Sequence, residues 1–127
     1  MKQSKAVVAA LALGVVVTAA VLLPGATVAA VATRPAKYTY QEDASSDFIR
    51  SVGTFSVTVY KLSHGLTMYY ASTSQCWSVA SGEGYEYWMV LTAKNGAGIY
   101  SRYVSIVWGI PGSESRTWKL LSFSSTD

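Results

Sequence analysis

Cys76 and His64 are the only cysteine and the only histidine in this 127-residue chain, so thiol-based catalysis would have to pair them. A cysteine nucleophile needs its base within hydrogen-bond reach. The two residues stand at opposite ends of a stretch that reads as one long strand, and at about 3.3 Å per residue a straight strand puts them roughly 30 Å or more apart. Zinc favours His and Cys ligands; with one of each, a site here would rest mainly on carboxylates, and no carboxylate cluster is visible. Neither metal nor cofactor is expected, and the residues argue against an enzyme. The lone thiol cannot close an internal disulfide, which leaves burial as a small hydrophobe or an intermolecular bridge. A second set, Tyr69, Tyr70, Trp77, Tyr85, Tyr87 and Trp88, has the surface to stack sugars or bases. Aromatic residues alternating along strands are more commonly cross-strand packing pairs.

Charge and hydropathy narrow the class further. The chain has 10 Lys+Arg and 7 Asp+Glu, a net charge of +3. Lys2 and Lys5 precede an uncharged run of 18 residues, 6–23, which Pro24-Gly25 interrupts. Small residues follow, and Ala30-Val31-Ala32 is an A-x-A site. This is the pattern of a secretory signal peptide over residues 1–32. The competing reading is an uncleaved anchor, since 18 apolar residues just reach across a bilayer, but much of the run is Ala, Gly and Val and a cleavage site follows it. Removing Lys2 and Lys5 leaves 8 Lys+Arg against 7 Asp+Glu. No basic cluster survives, so nucleic acid is not an expected partner. The expected product is secreted or lumenal, keeps no stable membrane association after cleavage, and carries no N-glycosylation sequon. It must hold together by packing, for which its Tyr and Trp residues supply large buried areas.

The remaining residues divide into an arm and a domain. Residues 33–44 are polar, contain Pro35, and read as a flexible N-terminal arm with a short strand around residues 37–40. Residues 45–127 read as one domain. Phe48, Val52, Phe55, Val59 and Leu62 lie on one face of a helix of about four turns, with Ser45, Ser46 and Asp47 ahead of it as N-cap oxygens. Residues 54–60 (TFSVTVY) also alternate as a β-branched strand would; from the residues alone the two readings balance. Beyond His64-Gly65, four strands are expected: 66–79 with Met68, Tyr70 and Trp77 inward, 85–93, 99–108, and 115–123. Turns fall at residues 81–84, at residues 94–98 where Asn95-Gly96 supplies positive φ, and at residues 110–113. One helix followed by antiparallel strands gives an α+β sheet with one face covered.

Three segments carry a family likeness. Residues 52–60 (VGTFSVTVY) resemble the helix signature L/V-G-x-F-A-V-x-E-Y/H-N of the cystatins, especially the plant type without disulfides. Residues 103–111 (YVSIVWGIP) are similar to the family's Y-x-A-x-V-W-x-K-P, and residues 121–123 (LSF) to its L-x-S-F close. The resemblance covers most of residues 45–123 in order. It implies the helical reading of residues 54–60 and one long helix packed on a four- to five-stranded antiparallel sheet. It also implies inhibition of papain-like cysteine proteases by a wedge of an N-terminal arm, a first hairpin loop and a second loop. The first loop falls on Ser78, Val79, Ala80, Ser81 and Gly82, where Ser78 replaces the usual Gln and Ala80 the central Val. The second falls on Trp108, Pro111 and Gly112, with Gly112 where a Trp is usual. The arm has no glycine between Gly25 and Gly53. The scaffold is kept better than the wedge, which admits an alternative: a non-inhibitory interaction module on the same fold. The resemblance leaves monomer and strand-swapped dimer both open.

Overall fold

Ser46 starts the helix. Its side chain accepts the Ile49 N–H at 3.2 Å, a cap worth about 1 kcal/mol, and α1 runs Asp47–His64. Gly65 ends it at φ 64°, with the Leu66 N–H returning to the Lys61 carbonyl at 2.9 Å. The segment that could have been a strand is therefore helical. These elements come from a computed structural model that describes residues 32–113 and 116–126. The signal sequence read over residues 1–32 lies outside them except for Ala32. No helix among the described residues is long and apolar enough to cross a membrane.

Five strands follow chain order: β1 (Tyr40–Glu42), β2 (Met68–Ser81), β3 (Gly84–Asn95), β4 (Tyr100–Gly109) and β5 (Lys119–Ser125). They form one antiparallel sheet in the order β1-β2-β3-β4-β5. Among the described residues the protein is an α+β fold with one helix on an open five-stranded antiparallel sheet. Two register shifts bend β2, at Tyr70/Ser72 and Thr73/Gln75, a usual way for a long strand to curve.

The inner face, toward α1, carries Met68, Cys76, Tyr87, Met89, Leu91, Ala93 and Val107 against Ile49, Val52 and Val57. The helix's deepest residues are Ile49, Val52, Gly53, Ser56 and Val57. The expected stripe is thus rotated: Val52 belongs to it, Phe48 and Phe55 lie at its margin, and Leu62 is 73% exposed. The rotation is possible because Gly53 lets the ring of Tyr70 touch the helix backbone; an added Cβ there would collide with it. Ser56 and Ser105, both buried, satisfy each other at 2.5 Å between helix and sheet.

The outer face is also covered. Trp77, Trp88 and Ile106 stand side by side across β2, β3 and β4. Trp77, expected to face inward, stands on this side because it pairs with Trp88 while its neighbours Cys76 and Ser78 take the core. Tyr38 is 1% exposed, its ring 6.5 Å from that of Trp88. Residues 34–42, expected as a flexible arm, form a packed strap that ends in β1, and the short strand lies at Tyr40–Glu42 instead of residues 37–40.

Candidate functional site

The two expected loops lie at one end of the sheet. Tyr85 pairs with Gly109, so the β2–β3 hairpin and the β4–β5 connection leave the sheet side by side. A Cβ on Gly84 would collide with the Gly109 carbonyl, which is how closely the two backbones run. Trp108 fastens them: its indole Nε1–H donates to the Ser81 carbonyl at 2.8 Å, and Lys119 lies over its ring at 5.6 Å. Trp108 is thus a brace between the loops.

The first loop is shorter than expected. Ser78, Val79, Ala80 and Ser81 belong to β2, and only Gly82 and Glu83 form the turn. Ser78 is buried and donates to Glu42 Oε2 at 2.7 Å, which removes it from any surface. Val79 is half-buried; Ala80 and Gly82 are exposed, and Gly82 holds φ 60°. The second loop presents Pro111 and Gly112, both exposed, with Gly112 at φ 86°. A polar knot shapes it. Thr117 Oγ1 accepts the Ile110 N–H at 3.0 Å and meets Ser113 Oγ at 2.6 Å, and Ser113 Oγ donates to the Ile110 carbonyl at 2.5 Å.

Other residues complete this end without standing out in the sequence. Trp118 seals the base of the second loop with edge-on contacts to Phe48 and Phe55, at 5.8 and 5.5 Å between ring centroids. Its ring lies so close to Gly109 that an alanine there would collide with it. An open groove of about 840 Å³ is lined in part by Phe48, Phe55, Tyr70, Gly112 and Trp118.

Glu86 ties the strap to the hairpin. It accepts from Tyr38 Oη at 2.9 Å and from Ser81 Oγ at 3.4 Å, and pairs with Lys37 at 3.2 Å. Arg34 lies 3.7 Å over the Trp77 ring and donates to the Tyr38 carbonyl at 2.5 Å. Burial pushes the Glu86 carboxyl up, but the hydrogen bonds from Tyr38 and Lys37 and the charge of Lys37 outweigh it and hold the group below its ordinary value. A depressed carboxylate stabilises the fold above its unfolded pKa, near 4.3 for Glu, and that contribution fades as pH falls through the folded value. Urea unfolding between pH 3 and pH 6 is therefore expected to show stability falling toward acid, and a Glu86→Gln variant a flatter profile.

Cys76 is fully buried, and burial first, with the nearby Glu42 charge second, pushes its thiol up to about 12. His64 is exposed at the far end of α1 with Nδ1 on the Tyr60 carbonyl. The two are not brought together as nucleophile and base. Ellman's reagent at pH 8 is expected to leave the folded thiol unmodified over minutes and to titrate one equivalent in denaturant. No group of three or more His, Cys, Asp or Glu that could hold a metal occurs among the described residues.

No known relative decides the family. No family model, curated protein or solved structure matches the chain significantly.

Proposed function

We propose that this is a secreted, divergent member of the cystatin family that inhibits papain-like cysteine proteases by occlusion. The observation that carries the reading is the pair of exposed turns, Gly82-Glu83 and Pro111-Gly112, braced side by side by Trp108 at one end of a helix-and-sheet scaffold. An occluding inhibitor needs preorganised backbone tips rather than reactive groups, because rigid tips lose little entropy on binding. The contact set is Ala80 and Ser81 at the end of β2, Gly82 of the first turn, and Pro111 and Gly112 of the second. The resemblance over residues 52–60, 103–111 and 121–123 supports the family, and residues 1–32 support secretion. The missing anchor sets the strength: a buried aromatic is worth at least ~2 kcal/mol at an interface, so Gly112 weakens binding by roughly thirtyfold. Titrating papain with the chain is expected to give reversible inhibition in the micromolar range. Full papain activity at those concentrations rejects the reading.

One observation favours a second reading, a non-inhibitory interaction module. The strap that an inhibitor would send into the protease cleft is held on the outer face, with Tyr38 buried and Arg34 stacked on Trp77. Under this reading, removing the strap's contacts leaves papain unaffected.

A further inference from the structure

The end of the sheet away from the candidate loops combines exposed apolar side chains with two lysines, Lys61 and Lys94, that form no ion pair among the described residues. There the last turn of α1 and the chain leading into β2 meet the β3–β4 turn: a Cβ on Gly96 would touch Thr67 at 3.3 Å. Leu62, Ile99 and Tyr100 are each between 59% and 73% exposed, and Leu66 and Tyr69 project beside them. Tyr69, Lys94 and Tyr100 form one row across β2, β3 and β4. Lys94 lies 6.0 Å from both rings, and Lys61 lies 5.2 Å from the Tyr69 ring. Charge is segregated along the sheet. Glu42, Asp43, Asp47, Glu83 and Glu86 belong to the start of α1 or to the half bearing the loops, whereas residues 59–75, 88–107 and 116–126 contain no acidic residue.

We infer that this end docks reversibly on an anionic lipid bilayer. Aliphatic tips on a helix end and a turn enter the headgroup boundary, tyrosines sit at its level, and lysines reach anionic headgroups along their own apolar stems. A sulfated polysaccharide would engage Lys61 and Lys94 but leave Leu62, Leu66 and Ile99 in water, so the apolar component favours lipid. Two lysines and a few aliphatic tips give a weak, salt-sensitive contact, which goes beyond the expectation of no stable membrane association. Docking this way leaves the turns at Gly82 and Gly112 pointing away from the surface. The inference rests on the fold and charge pattern and stands or falls independently of protease inhibition.

The test is cosedimentation of the full chain with vesicles of phosphatidylcholine alone and with phosphatidylserine added. Parent and variants carry the same N-terminus, so their comparison isolates this end. The parent is expected to bind the anionic vesicles in preference to the neutral ones and to release in high salt. K61E/K94E is expected to weaken binding by about thirtyfold or more, since each lysine near an anionic surface contributes about fivefold. L62S/I99S is expected to weaken it by about tenfold or more. Leu62 and Ile99 are exposed and Lys61 and Lys94 half-buried, none of the four belongs to the core, and circular dichroism melts should match the parent. Equal binding to both vesicle types, no binding, variants that bind like the parent, or capture by heparin without vesicle binding would each overturn the inference.

Discussion

Tyr38→Ala lowers the unfolding free energy by about 3 kcal/mol or more, with the melting temperature falling by more than about 10 °C. The side chain is 1% exposed. Its ring packs beside Trp88 and its hydroxyl donates to Glu86. Truncation therefore leaves a cavity on the outer face, removes one donor from a carboxylate, and frees the backbone that Arg34 holds at the Tyr38 carbonyl. Tyr38→Phe removes only the hydrogen bond, and Glu86 keeps Lys37 and Ser81; its cost is about 1 kcal/mol. Brief trypsin treatment checks the structural part: Lys37 becomes a rapid cleavage site in the alanine variant and stays slow in the phenylalanine variant, while the Arg34–Pro35 bond resists trypsin in both. Equal stability of Tyr38→Ala and the parent in urea would mean that the strap is not packed as described.

Gly84→Ala is the second large effect, about 2–3 kcal/mol. The added methyl meets the carbonyl oxygen and carbon of Gly109 and the indole of Trp108. A backbone cannot move aside as a flexible side chain can, so the hairpin must part from β4. The Trp108 indole then loses the Ser81 carbonyl, and the two candidate loops lose their fixed spacing. Gly82→Ala is the control. Its Cβ meets nothing within 4 Å, and only the φ of 60° opposes it, a strain of about 1–2 kcal/mol. Urea unfolding ranks the two, and indole fluorescence separates them: the Trp108 environment changes in Gly84→Ala and not in Gly82→Ala.

These residues mark the boundary between what a linear reading reveals and what it cannot. Turn positions were readable, because residues 94–98 and Gly82 both sit at hairpin ends, but in the first of them the positive φ falls on Gly98, at 85°, and not on Gly96 as expected. The ends of α1 were readable, since Ser46 and Gly65 bracket it, but the residues alone did not choose helix over strand for residues 54–60, and the rotation of the helix was not readable. Choosing Ile49 and Ser56 for the core depends on Tyr70 reaching Gly53 and on Ser105 standing opposite Ser56, both long-range facts. The burial of Ser78, one of the expected loop residues, has the same cause. Ser78 looks like a loop residue until the register puts it opposite Tyr40, with Glu42 accepting its hydroxyl. A polar segment such as residues 33–44 reads as an arm because one buried tyrosine among polar neighbours has no periodicity. Trp118 escaped for a similar reason: it lies between elements, and only the fold places it behind Gly109.

The most direct measurement of the central claim, that the paired turns form the protease-binding end, is amide hydrogen exchange of the chain with and without papain whose active-site thiol is capped. Occlusion needs no reaction, so the capped enzyme still binds. Protection is expected over residues 80–85 and 109–113 and none over residues 61–69 and 94–101. Protection confined to the far end of the sheet, or none anywhere at saturating papain, would contradict the account.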